Sequence, residues 1–326
     1  MSVAPRIAAA PKGAVGTQAR VLICDDSLVI RGAIARMLQA DPRIAVVGRA
    51  SNGRQALEEI RRQKFDVIIL DIEMPEMDGL TALPLLLRAD PSVRIIMAST
   101  LTTRGAEIAM RALRLGAADY VPKPSVEAIA DDSFRRELVA KVVGLARLRQ
   151  VSAQPPLAGA ALSLRPAPPL PPRLLAIGSS TGGPQALFTL IRALGRDVRI
   201  PVVLTQHMPA TFTPLLADHI AKLGGLSCAE AKDGEALRPG HIHLAPGDRH
   251  LLIRPGAGGL TARVTTDPPE NFCRPAVDPM LRSAAAACDG RVLVAMLTGM
   301  GAVQPLFCKF PRGGSFRLGS HASIVR

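Results

Sequence analysis

From residue 21 onward the apolar positions fall into short runs that alternate with helically spaced ones. Runs at 21–24, 44–47, 65–70, 93–97 and 120–121 predict strands. Apolar spacing of three and four predicts helices over 28–39, 55–62, 80–88, 106–115 and, less continuously, 126–148. Five repeats of strand then helix predict a parallel, doubly wound sheet. A second alternation begins at residue 173. It predicts a strand at 174–177, a helix at 185–194, a strand at 200–205 and a helix at 213–223. Short strands and turns follow across 233–254, then a helix at 277–287 and a strand at 292–297. Between the two alternations, 151–172 holds seven prolines and almost no charge, the composition of a semi-stiff spacer. The expected fold class is α/β: two doubly wound parallel-sheet domains, at 20–145 and 173–302, joined by a Pro-rich linker at 146–172. Residues 1–19 are Ala-, Pro- and Gly-rich and are expected to be a disordered extension rather than a signal peptide.

In doubly wound sheets the site lies at the carboxyl ends of the strands. In the first domain Asp25 and Asp26 end strand one, Asp71 ends strand three, and Ser99 and Thr100 end strand four. Lys123 follows strand five. Carboxylates that converge repel one another and need a cation to coexist; Mg²⁺ with oxygen ligands fits. A carboxylate held beside Mg²⁺ and a lysine can accept a phosphoryl group. The plainer alternative makes these aspartates helix caps or loop acids. The segments ICDDS, LDIEMPEMDG, MAST and DYVPKP together resemble the receiver domain of two-component response regulators over about residues 20–145. The resemblance implies Asp71 as phosphoacceptor, with Mg²⁺ held by Asp26, Asp71 and the backbone of Glu73. It implies Ser99 as switch hydroxyl, Tyr120 as switch aromatic and Lys123 as the phosphate-binding lysine.

The second domain opens on LLAIGSSTGGP, residues 174–184: strand, Gly-rich turn, helix, with Ser180 at the centre of a G-x-S-x-G match. Free N–H groups at the start of the following helix suit a developing oxyanion. A phosphate-cradling loop or a plain serine cap is the alternative. His207 ends the next strand, 27 residues later, and can serve Ser180 as general base if the two strands are neighbours. His241, His243 and His250 include an H-x-H spacing that metal sites use, but no acidic or cysteine ligand of clear spacing accompanies them. GSSTGGP, TQHMPATFT, GHIHLAPGDRHL, CRPAVDPML and LTGMG extend the resemblance to the chemotaxis protein-glutamate methylesterase/glutaminase family, a receiver fused to an α/β serine hydrolase. The resemblance implies Ser180 as nucleophile, His207 as base, and Thr181 and Met300 as oxyanion or near-site residues. It implies no cofactor for the hydrolytic step. The substrates would be glutamyl methyl esters and some glutamines on methyl-accepting chemoreceptors, with a chemotaxis histidine kinase supplying phosphate. Such a protein is expected in the cytoplasm, without direct membrane insertion.

The pattern breaks near the end. Where the family carries its catalytic aspartate this chain has Val303, and residues 303–326 hold no Asp or Glu. That aberrant tail suggests a shifted reading frame and predicts weak hydrolysis, because the acid orients and stabilises the imidazole. A non-catalytic, phosphorylation-dependent adaptor is the first rival reading. A DNA-binding response regulator, the commonest output for such receivers, is the second, and the net charge of +13 is at first sight a nucleic-acid signal. Charge position argues against it: residues 21–145 hold 17 basic and 17 acidic side chains, and 173–300 hold 13 and 10. The excess is spread over ends and linker and makes no focused basic face, so no nucleic-acid partner is expected. Five cysteines without C-x-x-C spacing suit a reducing compartment. Aromatics are 3% of the chain with no Trp, so the cores must be aliphatic.

Overall fold

The computed structural model describes residues 18–99, 102–123, 132–152, 170–194 and 198–298. The first unit runs β1 (Ala19–Cys24), α1 (Leu28–Gln39), β2 (Ile44–Ala50), α2 (Gly53–Arg62), β3 (Val67–Asp71), α3 (Gly79–Ala89), β4 (Arg94–Ser99), α4 (Thr103–Arg114), β5 (Asp119–Pro122) and α5 (Asp132–Ser152). Its sheet has the order β2-β1-β3-β4-β5, with every neighbouring pair parallel. The central strand β3 is buried along its whole length. That is why it reads as an unbroken apolar run: helices cover both faces of a parallel sheet.

Short polar residues start four of these helices. Ser27, Asn52, Asp78 and Thr102 accept hydrogen bonds from the backbone N–H groups of Ile30, Gln55, Thr81 and Gly105. Each cap contributes about 1 kcal/mol and holds its helix start near the sheet rim. Gly79 is sterically required there, because a β-carbon on it would fall 2.0 Å from the carbonyl oxygen of Asp71.

The second unit runs β6 (Leu174–Ser179), α6 (Gly183–Leu194), β7 (Val202–Gln206), α7 (Thr213–Lys222), β8 (Ser227–Glu230), β9 (His241–Leu244), β10 (His250–Gly256), β11 (Gly259–Thr265), α8 (Val277–Ala287) and β12 (Val292–Met296). Five strands form a parallel sheet in the order β12-β6-β7-β9-β8, and β10 and β11 make a separate antiparallel hairpin. Both units are therefore α/β with a parallel sheet, as the alternation of apolar patterns predicts.

Three differences from the sequence expectation have physical causes. β8 has no apolar run because it is an edge strand of sequence SCAE, half-exposed on alternate residues. β10 lies where HLLIR predicts a short strand, but its antiparallel partner β11 (Gly259–Thr265) is not predicted, because Gly259, Thr261 and Arg263 on its outer face leave no continuous apolar run. α5 continues to Ser152, into the segment expected to be linker from residue 146, because Ala146 still packs in the first unit's core. The start of the expected 126–148 helix, most of the spacer and the segment 303–326 lie outside the described residues.

The two units share an apolar seam. One cluster of buried side chains runs from Met110, Leu113 and Tyr120 of the first unit to Phe188, Phe212 and Leu216 of the second. Tyr120 and Phe212 stack with ring centroids 4.1 Å apart and an interplanar angle of 13°.

Candidate active site

Three adjacent strands of the second sheet bring their carboxyl ends together. In β6 and β7, Gly178 lies opposite Thr205 and Ser179 opposite Gln206, in parallel register. Ser180 and His207 are the next residues on each strand. The N–H of His207 donates to the carbonyl of Ser179 at 3.3 Å, so the two backbones are still side by side at the rim. From the far side of β6, the hydroxyl oxygen of Thr298, just beyond β12, accepts the N–H of Ser180 at 3.0 Å.

Glycines make this turn possible. A β-carbon on Gly178 would lie 2.6 Å from Met296 Sδ, and one on Gly183 would lie 2.3 Å from Gln206 Oε1. Gly182 carries a positive φ of 69°, so the left-handed step of the turn falls on a residue without a side chain. Ser180 and Thr181 keep negative φ.

Gln206 clamps the turn, and the motif reading did not single it out. Its Nε2 donates to the carbonyls of Ser180, at 3.1 Å, and of His207, at 3.2 Å. Its Oε1 accepts the hydroxyl of Ser179. The one signal in the sequence is an amide side chain that ends a β-branched strand. Beyond His207, Gly247 lets the β9–β10 loop close on Pro209 and Ala210, and its N–H donates to Thr213 Oγ1 at 3.0 Å.

Burial lowers the pKa of His207; against it Glu137, Asp119 and Asp248 act upward and Lys141 downward. The imidazole is therefore neutral at pH 7, the form a general base needs. Among the described residues no carboxylate is hydrogen-bonded to its ring. Thr181 is 4% exposed, and its Oγ1 has no hydrogen-bond partner among the described residues. Met300 and Val303 lie outside the described residues.

The histidines that suggested metal are committed elsewhere. His243 Nε2 accepts the Arg238 N–H, so its Nδ1–H donates to Glu235 at 2.7 Å. His250 accepts the Ala276 N–H at Nδ1 and donates from Nε2 to the Pro268 carbonyl. His241 Nδ1 lies 2.7 Å from the Ser227 hydroxyl.

At the first sheet's rim, ligand oxygens of Asp25, Asp26 and Asp71 lie within 4.8 Å of one another. Lys123 Nζ donates to Asp71 Oδ2 at 2.7 Å and stands 3.9 Å from Asp25 Oδ2. In the loop after β3 the Glu73 N–H donates to Asp71 Oδ1 at 3.3 Å. Burial pushes the Asp71 carboxyl up to about 6 even with Lys123 beside it, and raises Asp25 as well. Among the described residues neither Asp25 Oδ2 nor Ser99 Oγ, both buried, has a hydrogen-bond partner. This set is short of positive charge and rich in hard oxygen donors, so it fits Mg²⁺, which when bound neutralises the carboxylates. Asp25 belongs to the converging set along with the Asp26 and Asp71 ligands that the resemblance implies.

The first unit lies over the Ser180 turn. The N–H of Gly182 donates to Asp119 Oδ2 at 3.2 Å, and Gln185 Nε2 donates to the carbonyl of Ala117 at 2.9 Å. Asp119 is neutralised by Lys141, whose Nζ reaches Asp119 Oδ1 at 3.0 Å and the Tyr120 carbonyl at 2.9 Å.

The profile of the CheB methylesterase family matches residues 175–302, and that of the response regulator receiver domain matches residues 21–132. A Paramagnetospirillum magneticum protein named protein-glutamate methylesterase/protein-glutamine glutaminase 1 is 48% identical over 309 residues, covering 87% of this chain and 81% of that protein. This chain belongs to the protein-glutamate methylesterase/protein-glutamine glutaminase family. The Azospirillum brasilense member is 50% identical over 323 residues, covering 91% of this chain and 82% of its own. Among solved structures, the Thermotoga maritima CheB methylesterase catalytic domain is 38% identical, covers 40% of this chain and 70% of its own, and has a TM-score of 0.39. The response regulator domain of Thermotoga maritima CheB is 36% identical, covers 42% of this chain and 99% of its own, and has a TM-score of 0.36. The chain is thus a chemotaxis response regulator of the hydrolase kind: a receiver, whose class takes up phosphate with Mg²⁺, and a methylesterase domain. No helix among the described residues is long and apolar enough to cross a membrane.

Proposed function

We propose that the chain removes methyl groups from glutamyl esters, and ammonia from certain glutamines, on chemoreceptors, and that phosphorylation of Asp71 controls it. Ser180 Oγ attacks the γ-carbonyl while His207 takes its proton. The tetrahedral adduct expels methanol or ammonia, protonated by the same histidine, and leaves an acyl-serine. Water, deprotonated by His207, then releases glutamate. Thr181 and Met300 would border the oxyanion. A chemotaxis histidine kinase would charge Asp71 in the cytoplasm, with Asp26, Asp71 and the Glu73 backbone holding Mg²⁺ and Asp25 close by. Ser99 and Lys123 would bond the new phosphoryl oxygens, and Tyr120 would couple them to the seam with Phe212. The switch would feed chemotactic adaptation by resetting receptor methylation.

The observation that carries the reading is the contact of Asp119 with the Gly182 N–H, two residues past the nucleophile. A receiver bound there covers the catalytic turn, and its release is what phosphorylation can regulate. Val303 stands where the family has its catalytic acid, which favours a second reading: slow turnover, with the chain serving as a phosphorylation-dependent adaptor. Methanol release from methylated receptor, measured with and without a small phosphoryl donor, separates the two. Stimulated release that Ser180→Ala abolishes supports the esterase. Receptor binding without release in the chain as it stands, with release appearing in Val303→Asp carrying the family's ending, supports the adaptor. Release that survives Ser180→Ala refutes the assignment of Ser180 as nucleophile.

A further inference from the structure

Gln206 ends strand β7, VVLTQ, with an amide where the residues before it are apolar or β-branched. It is 2% exposed, and a buried amide must find partners for its N–H and carbonyl groups. It finds them on the two residues assigned the chemistry. Nε2 donates to the carbonyl of Ser180 at 3.1 Å and to that of His207 at 3.2 Å. Carbonyls only accept, so these bonds use both protons of the amide nitrogen and fix which way the side chain faces. Oε1 takes the hydroxyl of Ser179, which is buried beside it. One side chain thus ties the backbone of the nucleophile to the backbone of the base across the β6–β7 pair.

The Ser180 carbonyl also accepts the Gly183 N–H at 2.8 Å. With two donors on its oxygen, the Ser180–Thr181 peptide cannot rotate without losing both. That peptide is trans, so its N–H points away from its carbonyl and out of the turn. The other N–H groups of the turn are engaged: Ser180 with Thr298 Oγ1, Gly182 with Asp119 Oδ2, and Gly183 with the Ser180 carbonyl. Among the described residues the Thr181 N–H has no acceptor. It belongs to the residue directly after Ser180, the place from which a nucleophile turn offers a donor to the oxyanion.

Resting on the reading of the site as a glutamyl hydrolase, we propose that Gln206 is a positioning residue for the transition state. It holds the Ser180–Thr181 peptide so that the Thr181 N–H meets the oxyanion, and it holds the His207 backbone at the same time. It touches neither the substrate nor a reacting atom. Its effect falls on the tetrahedral adduct, whose oxygen carries a full charge, and spares the trigonal ester, whose oxygen carries little. Every bond in this arrangement lies between residues 179 and 207, so it is independent of Val303.

The test uses the full chain with Mg²⁺ and beryllofluoride, an acyl-phosphate mimic, and two chemoreceptor peptides. One carries a boronic acid in place of the glutamyl γ-ester, the other a free glutamate. Ser180 Oγ adds to the trigonal boron: an O–B bond forms, the serine proton passes to His207, and boron becomes tetrahedral and anionic. Boron-11 NMR reads that change, and fluorescence anisotropy reads both affinities. Gln206→Met, close in length but without donors, should weaken the boronate about 100-fold and the glutamate peptide less than about threefold, because a donor displaced by about 1 Å costs that much. Methyl-ester turnover should fall in kcat with KM unchanged. Gln206→Glu keeps the shape but turns acceptors toward the two carbonyls, and should show the same split. Urea midpoints show that both variants are folded. In the unaltered chain, boronate should slow hydrogen exchange at the Thr181 amide about tenfold or more, a measurement that needs no variant. Equal weakening of both peptides, no weakening of either, or a Thr181 amide that boronate leaves unchanged overturns the proposal and leaves the hydrolase reading intact. No tetrahedral boron and no methanol release in the unaltered chain overturns both.

Discussion

Removing the Lys141 ammonium tests how the receiver holds its face against the methylesterase domain. Lys141 is 5% exposed. Burial disfavours its charge, but Asp119 and Glu137 more than offset that, and its pKa stands above the ordinary lysine value. Lys141→Met leaves Asp119 with two donors, the N–H groups of Tyr120 at 2.8 Å and Gly182 at 3.2 Å. A buried carboxylate without its cation costs about 3 kcal/mol. For a domain of this size that lowers the receiver's melting temperature by about 10 °C. Asp119→Leu in the same chain removes the stranded charge, and the double variant should recover to within about 1 kcal/mol of the unaltered chain, because an apolar pair of similar volume often replaces a buried ion pair without loss. It cannot recover the contact with Gly182. Denaturant melts give the stability, and hydrogen exchange at the Gly182 amide gives the contact: protected in the unaltered chain, exposed in the double variant. A double variant as unstable as the sum of the two single ones refutes the reasoning. So does a Gly182 amide that stays protected.

Gly183→Ala drives a methyl against Gln206 Oε1, so the Gln206 clamp must open; urea midpoints should show a loss of about 1–3 kcal/mol, while Gly258→Ala, in open space, should be neutral. In chelator, Asp71→Asn should stabilise the receiver by about 1–3 kcal/mol, because a carboxyl raised to about 6 binds more protons folded than unfolded and so penalises the fold above pH 4. Added Mg²⁺ should erase that advantage in calorimetry. Burial lowers His241 to about 4, so the folded state binds fewer protons than the unfolded one between pH 6.5 and 4. The stability it contributes is full above pH 6.5 and lost on acidification across that window, and His241→Gln should flatten the pH profile of the urea midpoint there.

Much of the architecture is legible in the chain itself. Helix α1 and helix α8 begin and end where the apolar spacing places them, and β3 and β6 read as strands because burial on both faces leaves no room for polar residues. Asp71, Ser180 and His207 stand out because strand ends in a parallel sheet are where side chains are free to do chemistry. The edge strand β8 was not legible, since an edge strand needs few apolar residues.

The relation between elements far apart in sequence is another matter. No local pattern says that Gln206 reaches back to Ser180, or that Asp119, beside Tyr120, caps the amide of Gly182 in another domain. Nor does periodicity show that α5 is covered on two sides, with Leu138 and Val142 in the receiver's core and Gly144 against Thr181. Periodicity records how much of a helix is buried. What buries it is decided when strand register and the apolar seam bring separate stretches together, because those contacts form between surfaces and leave no repeat in either sequence.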